Sequence, residues 1–465
     1  MSTMVAAVDC GATSVRVCRV DLDAPTLAPE VVHRVAHAPV PDGGGHLRWD
    51  WPTIVGAVEA GLERCRERGP LASIGVDTWA VDYGLLDGDG QLLSAPYCYR
   101  DHRTDDYHHL VDEFGAQALY AINGLQLQPF NTVFQLAAHD RAELALARRL
   151  LWLPELIVHH LTGVAVTERT SAGSSGLVDL ASGGWSDPLL ELAGVEAELL
   201  GPIEPAGRVV GHWRGVPVAL VGGHDTASAV VGMGSPAAGG SAFVASGTWM
   251  LAGIERAGPD TSEWARSRNF SNEAGALGGV HFLRNVTGFW LLEQCRPAWG
   301  DPPVERLVAE AEALDGPAGG TADGAAGGAA DVPVIDVDHD DLRAPTDLLG
   351  TYTALAGLPR DAPPGLVTRS IIESIAAAAA TVIGQLAEVS AFHDVVLFGG
   401  AARIPLLVRR LAAHSRREVR VGAAEAAALG NAIVQGVTIG RFGSIDHGRA
   451  GIDAAATGPT EGDQP

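Results

Sequence analysis

Apolar residues occur along this chain in short runs typical of strands and in longer runs with helical spacing. Residues 5–22, VAAVDCGATSVRVCRVDL, alternate in the manner of two strands joined at Gly11, Ala12 and Thr13. A helix is predicted over residues 51–68, and a buried strand follows over residues 74–77. This succession of strands and helices predicts an α/β fold.

The pattern continues beyond the first hundred residues. Residues 148–162 predict an amphipathic helix that ends at Gly163. Residues 366–389, rich in Ala and Ile, predict a long buried helix. A buried strand over residues 395–400 ends in Gly399 and Gly400, and a further helix is predicted over residues 425–437. Residues 316–330 are low in complexity and predict a surface loop.

The central stretch, residues 218–251, carries the most informative polar residues. A short apolar strand over residues 218–221 is broken by two glycines, and His224, Asp225 and Thr226 precede the helical run 227–233. A helix start would stabilise the charge of Asp225 through the helix dipole and free backbone N–H groups. The local pattern alone favours a simple N-cap. Further on, the strand–turn–strand pattern around Ser246, Gly247 and Thr248 suits an oxyanion, because a small turn lets backbone N–H groups approach it.

Composition narrows the class of protein. A chain of 465 residues is too long for one compact core, and at roughly 150 residues per domain its length indicates two to three domains. The formal net charge of −24 argues against a nucleic-acid partner. No signal peptide is recognisable, no uninterrupted apolar run is long enough to span a membrane, and the five cysteines lack CxxC or CxxxC spacing. We therefore expect a cytoplasmic protein with reduced thiols.

Two further features suggest phosphate and polyol chemistry. Asp9 stands just before a Gly/Thr/Ser hairpin, where N–H and hydroxyl groups could take phosphate oxygens and the carboxylate a magnesium ion, although an ordinary hairpin has the same pattern. Gln126 and Asn131 lie among aromatic residues, a mixture that suits a polyol. The chain has no GxxxxGK[ST] motif, so any nucleotide must be held in another way.

Taken in order, the acid–Gly–Thr hairpin, the strand-end Asp, the Ser-Gly-Thr turn and the terminal Gly-Gly strand resemble the FGGY family of carbohydrate kinases. The resemblance covers nearly the whole chain and is strongest to the L-rhamnulose kinases of that family. It is carried by the segments DTWAVDYGLLD, YRDHRTD, GLQLQPFNTVFQL, GGHDTASAV, SGTW and RNVTGFWLLEQCR. The family fold implies two ribonuclease H-like domains, like those of actin and hexokinase, with a catalytic cleft between them. We expect the domains at residues 1–233 and 234–465.

The resemblance also implies roles for individual residues. Asp225 would be the general base, with His224 and Thr226 beside it contacting the sugar, and Asp9 would hold magnesium through water. Residues toward the sugar would also include Ala80, Gln126 and Asn131. Residues toward ATP would be Ala12, Thr13, Ser14, Val15 and Arg16 in the first phosphate loop, Thr248 at the γ-phosphate, Asn285 and Glu293 flanking the nucleotide, and Gly399 and Gly400 at the adenosine.

The chain departs from the family pattern at several positions. Val15, Ala80 and Ala401 stand where the family has glycine, and their methyl groups could crowd a ligand that approaches the backbone. These changes bear on the identity of the substrate more than on the fold.

We expect an ATP- and Mg²⁺-dependent kinase, a monomer or homodimer, that phosphorylates the 1-hydroxyl of L-rhamnulose. The alternatives are a kinase for another ketose or polyol, such as L-fuculose or xylulose, and a catalytically silent sugar-binding regulator.

Overall fold

The computed structural model describes residues 3–247, 249–315, 332–342 and 345–456. Thr248 and the predicted loop at residues 316–330 therefore lie outside the described residues. The described chain forms two compact units. Unit 1 is drawn from Met1–Ser235, Glu255–Phe282 and Glu425–Pro465, and unit 2 from Pro236–Ile254 and Leu283–Ala424. The chain thus leaves unit 1 close to the predicted boundary at residue 233 but returns to it twice.

The strands are short and most are buried. In chain order they are β1 Met4–Gly11, β2 Ser14–Asp21, β3 Glu30–Ala36, β4 Pro39–Pro41, β5 Leu47–Trp49, β6 Ser73–Thr78, β7 Tyr83–Leu86, β8 Arg149–Trp152, β9 Thr167–Glu168, β10 Ile203–Glu204, β11 Arg208–Trp213, β12 Val216–Leu220, β13 Ser241–Ser246, β14 Trp249–Arg256, β15 Ser271–Ala274, β16 Val280–Thr287, β17 Asp394–Phe398 and β18 Glu418–Val421.

The helices range from single turns to one long core helix. In chain order they are α1 Trp51–Glu67, α2 His108–Phe114, α3 Ala116–Asn123, α4 Thr132–Ala137, α5 Arg141–Leu146, α6 Leu153–Thr162, α7 Arg169–Gly173, α8 Asp187–Ala193, α9 Ala197–Leu200, α10 Asp225–Val231, α11 Glu263–Ser267, α12 Trp290–Cys295, α13 Val304–Glu312, α14 Leu348–Leu355, α15 Pro364–Val389, α16 Pro405–Ser415, α17 Ala426–Thr438 and α18 Ile445–Ala456. Short 3₁₀ helices lie at His102–Thr104, Arg296–Trp299, Ala313–Asp315, Asp340–Leu342 and Gly400–Arg403.

Unit 1 is built on a six-stranded sheet with the order β11-β12-β6-β1-β2-β3. The predicted hairpin is present: β1 and β2 pair antiparallel from Met4 opposite Asp21 to Gly11 opposite Ser14. Strands β12, β6 and β1 run parallel to one another, so their carboxyl ends share one edge of the sheet. That edge is where an α/β sheet usually binds its ligand.

Two helices of unit 1, α10 and α17, cross at very short range because each has a glycine at the contact. A Cβ added at Gly430 of α17 would overlap the carbonyl oxygen of Ser228, and one at Gly232, just after α10, would overlap that of Ala426. Only glycine allows backbones to approach so closely. Helix α17 is thereby fixed against the helix that begins with Asp225.

The second six-stranded sheet has the order β15-β16-β14-β13-β17-β18. In unit 2, β13 pairs antiparallel with β14 and parallel with β17, and β17 pairs parallel with β18. The long predicted helix is α15. It is long and apolar enough to cross a membrane, but 72% of its most apolar window is buried within the fold, as in a core helix. All five cysteines are buried free thiols.

The structure corrects two local predictions. Residues 148–162 are not one helix, because Arg149–Trp152 pairs as a strand with Tyr83–Leu86 and Pro154 then stands in the first turn of α6. Pairing with a distant strand overrides the helical periodicity of the segment. In addition, Asp225 is not the N-cap of α10. His224 holds that position without a capping hydrogen bond, and Asp225 is the first helical residue.

Candidate active site

Three carboxyl groups, two buried and one half-buried, meet at the carboxyl ends of the parallel strands in unit 1. Asp9 of β1 lies opposite Asp77 of β6 in the strand register. Asp225 follows β12, and its neighbour His224 forms a parallel bridge with Thr78, the residue after Asp77. The side chains of Asp9 and Asp77 are almost completely buried, at 1% and 0% exposure. Three acids are therefore grouped at one sheet edge.

Burial changes the proton affinity of this group. Burial, together with the nearby Asp9 carboxylate, raises the pKa of Asp225 to about 7. The pKa of Asp9 and of Asp77 is also raised, again chiefly by burial. Burying one charged carboxylate near another is costly unless a cation compensates it. A cation close to these three acids would therefore stabilise their ionised forms.

Arg16 supplies part of that charge. Its guanidinium lies 2.8 Å from Oδ1 of Asp9 and 2.8 Å from Oε2 of Glu425, and Arg34 reaches the other oxygen of Glu425 at 3.2 Å. The β1–β2 turn is held by His37, whose Nε2 lies 2.9 Å from the carbonyl oxygen of Gly11. Ala12, Thr13 and Ser14 form this turn and the start of β2. The predicted phosphate loop is thus a hairpin anchored by a buried ion pair.

His224 connects Asp225 to a carboxyl group that the sequence did not single out. Nε2 of His224 lies 3.5 Å from Oδ1 of Asp225, and Nδ1 lies 3.4 Å from Oε2 of Glu273. Burial lowers the pKa of His224 to about 4 and raises that of Glu273 to about 7. The imidazole is therefore neutral at physiological pH. The hydroxyl of Thr226 also lies 3.4 Å from Oδ1 of Asp225.

The segment after β6 contains Ala80 and is unusually constrained. Val81 has φ of 72°, which is strained for a β-branched residue. Its carbonyl oxygen accepts a hydrogen bond of 2.7 Å from Thr132. The next residue, Asp82, accepts bonds from the indole N–H groups of Trp49 and Trp79 at 2.6 and 2.9 Å. This network holds the backbone around Ala80 in a fixed conformation.

Gln126 and Asn131 lie close to that segment. The Asn131 amide donates to the carbonyl oxygen of Gln126 at 3.2 Å, and Asn131 directly precedes Thr132, which bonds Val81. Both residues are buried. The structure therefore brings Ala80, Gln126 and Asn131 into one neighbourhood of unit 1.

The predicted adenosine residues Gly399 and Gly400 lie directly after β17, beside the end of β13. The hydroxyl of Ser246 donates to the carbonyl oxygen of Phe398 at 2.8 Å, and the N–H of Phe289 donates to that of Gly247 at 3.1 Å. Gly399 has φ of 91°, and a Cβ there would lie 2.5 Å from the carbonyl oxygen of Ser246. Ser246, Gly247 and Gly399 thus form one tight backbone cluster.

Asn285 and Glu293, the remaining predicted nucleotide residues of unit 2, are not part of this backbone cluster. Asn285 lies within β16, and Glu293 lies in α12, where it pairs with Arg296 at 2.5 Å. Ala401 is buried in the 3₁₀ turn after Gly399. In unit 1, Val15 belongs to the hydrophobic core, so its side chain fills the interior.

Sequence reasoning missed Asp77, Glu273 and Glu425. Asp77 offered a usable signal, because it ends a buried strand whose carboxyl end faces the ligand edge of the sheet. Glu273 and Glu425 offered none, since each reaches the site from a segment remote in sequence from its partner.

Comparison with known proteins gives the same family as these features. The model of the FGGY family of carbohydrate kinases, N-terminal domain, matches residues 4–235, and the model of its C-terminal domain matches residues 242–439. The chain is 33% identical to a rhamnulokinase of Bacteroides thetaiotaomicron over 93% of this chain and 90% of that one. It is likewise 33% identical to a rhamnulokinase of Klebsiella pneumoniae (strain 342), over 95% and 91%.

Solved structures share the fold at lower identity. A gluconate kinase from Lactobacillus acidophilus superposes with a TM-score of 0.77 at 16% identity, over 96% of this chain and 92% of that one. A xylulose kinase from Rhodospirillum rubrum superposes with a TM-score of 0.73 at 20% identity, over the same shares. The two family models together span most of the sequence. The chain is therefore a two-domain α/β carbohydrate kinase of the FGGY family.

Proposed function

We propose that this kinase transfers the γ-phosphoryl group of ATP to the 1-hydroxyl of L-rhamnulose. The choice of sugar is supported by the relatives named rhamnulokinase, which match at 33% identity over nearly the whole chain. The observation that carries the mechanism is the position of Asp225, half-buried at a sheet edge and at the start of α10 with Asp9 and Asp77 nearby.

Asp225 acts in this proposal as the general base. Phosphoryl transfer has a loose transition state, so an enzyme mainly positions the nucleophile and stabilises spreading charge. A carboxylate that accepts the hydroxyl proton contributes about 10²- to 10⁴-fold. A pKa of about 7 suits this task, because the group is a strong enough base and is still partly ionised at neutral pH. His224, Thr226, Ala80, Gln126 and Asn131 would contact the sugar.

The carboxyl cluster fits a magnesium ion. Oδ2 of Asp9 and Oδ1 of Asp77 are buried and have no hydrogen-bond partner among the described residues. Carboxylate oxygens are the ligands that Mg²⁺ prefers, and it commonly binds one or two of them together with waters and phosphate oxygens. When bound, the ion would neutralise phosphate charge.

ATP would be held by backbone groups. The hairpin residues Ala12, Thr13, Ser14, Val15 and Arg16 would contact phosphates in unit 1, with Thr248 as a further phosphate contact. Gly399 and Gly400 would lie against the adenosine, with Asn285 and Glu293 beside it. The support is the left-handed conformation of Gly399 and its packing against Ser246, which leave no room for a side chain.

A panel of ketoses with ADP release as the readout tests the sugar. We expect the highest kcat/KM with L-rhamnulose and a 1-phosphate product by NMR. An equal or higher kcat/KM with L-fuculose or xylulose would overturn the sugar assignment but keep the kinase. Sugar binding without ADP release in the presence of any ketose would instead support a silent regulator.

We further propose that the protein is cytoplasmic and acts as a monomer or homodimer.

A further inference from the structure

A second buried acidic pair lies behind the loop that carries Asp225. Glu168 and Glu155 have side chains at 0% and 1% exposure, and neither belongs to the Asp9–Asp77–Asp225 cluster. Glu168 directly precedes the short helix α7 and caps it. Its Oε2 accepts hydrogen bonds from the backbone N–H of Thr170 at 2.8 Å and of Ser171 at 3.4 Å, and from the Thr170 hydroxyl.

The same oxygen reaches outside α7. Oε2 of Glu168 also accepts a bond of 3.1 Å from the backbone N–H of Gly223. The Thr170 hydroxyl, which donates to Glu168, accepts a bond of 3.0 Å from the backbone N–H of His224. The backbone N–H groups of the two residues before Asp225 are therefore both hydrogen-bonded to Glu168. That of Gly223 binds it directly, and that of His224 binds it through the Thr170 hydroxyl.

The packing around Gly223 leaves the loop little freedom. A Cβ there would lie 2.7 Å from Oγ of Ser171 and 3.0 Å from Pro154. A cap of α7 needs neither Gly223 nor His224. The hydrogen bonds from the N–H groups of Gly223 and His224 therefore stabilise the loop before Asp225, and helix α7 does not need them.

The second acid determines where the negative charge resides. Oε1 of Glu155 accepts a bond of 3.2 Å from the backbone N–H of Glu168. Burial and the neighbouring Glu168 raise the pKa of Glu155 to about 8, and burial raises that of Glu168 to about 7 although its hydrogen bonds lower it. The four hydrogen bonds to Oε2 of Glu168 favour the negative charge of the pair on Glu168 and a proton on Glu155. Hydrogen bonds to a charged acceptor are about twice as strong as neutral ones.

We propose that Glu168 is a positioning residue: through Gly223 and Thr170 it fixes the backbone before Asp225 and so sets the direction of the Asp225 carboxylate. This inference rests on the proposed role of Asp225 as general base. A misplacement of about 1 Å at a reacting group can cost about 10²-fold in rate. Glu168 itself touches no substrate in this arrangement.

The test compares Thr170→Val with Ser175→Ala. Thr170→Val keeps the shape of the side chain but removes the hydroxyl between His224 and Glu168. Ser175→Ala removes a buried hydroxyl of the same segment that bonds Ala172 and Leu177 instead. We expect Thr170→Val to lower kcat by about 10- to 10²-fold with little change in either KM, and Ser175→Ala to leave kcat unchanged. Glu168→Gln should act in the same direction, and Thr170→Ser should restore kcat.

A double-mutant cycle with Asp225→Asn separates this proposal from the proposed function. If Glu168 acts through Asp225, Thr170→Val has no further effect on the residual rate of Asp225→Asn. The positioning role would be overturned if the double variant lost kcat by the product of the two single losses. It would also be overturned if Thr170→Val alone had the kcat of the unmodified protein. An Asp225→Asn variant with full activity would overturn the general-base role itself. Thermal midpoints of all variants show whether each protein is folded.

Discussion

The side-chain amide of Asn431 donates a hydrogen bond of 2.6 Å to Oδ2 of Asp77. Gln435, one turn later, donates to Oδ1 of Asn431 at 2.7 Å and to the carbonyl oxygen of Ala6 at 3.0 Å. Helix α17 therefore orients one oxygen of Asp77 and leaves the other oxygen buried beside Asp9.

The first prediction concerns magnesium. Replacing Asp9 with Asn removes the proposed ligand charge, and we expect kcat to fall about 10²-fold and the Mg²⁺ concentration for half-maximal rate to rise. Rates measured across a Mg²⁺ titration, with and without chelator, provide the test. Asp42→Asn, at an acid paired with Arg48 outside the cluster, is the matched control. An unchanged Mg²⁺ dependence in Asp9→Asn would rule out this metal position.

The second prediction concerns the base. Asn has nearly the shape of Asp but cannot accept the hydroxyl proton, so Asp225→Asn should lose about 10²- to 10⁴-fold in kcat. ATP affinity, measured by calorimetry, and the thermal midpoint should stay close to those of the unmodified protein. Substantial turnover in this variant would exclude Asp225 as the base.

The third prediction is the pH dependence of the rate. Because burial raises the pKa of Asp225 to about 7, the carboxylate is protonated below that pH and cannot act as a base. We expect kcat/KM to rise with pH through about 7 and to fall off on the acidic side. The pH profile of ADP release measures this. A rate that stays constant down to about pH 5 would contradict it.

The fourth prediction compares two adjacent glycines in unit 2. Gly399→Ala would force a Cβ to 2.5 Å from the carbonyl oxygen of Ser246 at a left-handed φ, whereas Gly400→Ala meets no atom within 4 Å. We expect the first variant to lose about 1 to 3 kcal/mol of stability and to raise KM for ATP. The second should leave the free energy of unfolding unchanged. Denaturant unfolding and steady-state kinetics distinguish them, and equal effects of the two substitutions would show that this backbone contact is unimportant.

The fifth prediction concerns stability and pH. The folded protein keeps a proton on Glu155 up to about pH 8, whereas an unfolded chain releases it near the ordinary value of 4.5. The contribution of Glu155 to stability is therefore present at low pH and lost as pH rises through about 8. Glu155→Gln removes this term, so its thermal midpoint should fall less than that of the unmodified protein between about pH 6 and about pH 9. Parallel curves for the two proteins would contradict the buried, protonated state.

Local patterns predicted the parts of the fold that local physics controls. The β1–β2 hairpin, the buried strand that ends in Asp77 and the long core helix each have a periodicity that one conformation satisfies. Asp225 was located because a strand, a glycine pair and a helix start occur together in a short stretch. The family resemblance then supplied its expected role, which spacing alone could not.

Contacts between distant segments could not be predicted in this way. Arg16 and Glu425 are 409 positions apart, and Asp77 and Asn431 are 354 positions apart. The helical spacing of residues 148–162 does not reveal the strand Arg149–Trp152, because the partner of that strand, Tyr83–Leu86, is remote in sequence. Likewise, nothing near Glu273 indicates that it lies beside His224. These interactions depend on how the sheet and helices pack, which one unaligned sequence does not reveal.

The return of the chain to unit 1 at Glu425 also has a consequence for biosynthesis. A ribosome has to make the 409 residues that separate Arg16 from Glu425 before these two can meet, and the 354 that separate Asp77 from Asn431. Until then the strands that carry Asp9 and Asp77 lack the helix that packs against their end of the sheet. The ion pair of Arg16 with Glu425 and the hydrogen bond of Asn431 to Asp77 therefore form only after that later segment of the chain has been synthesised.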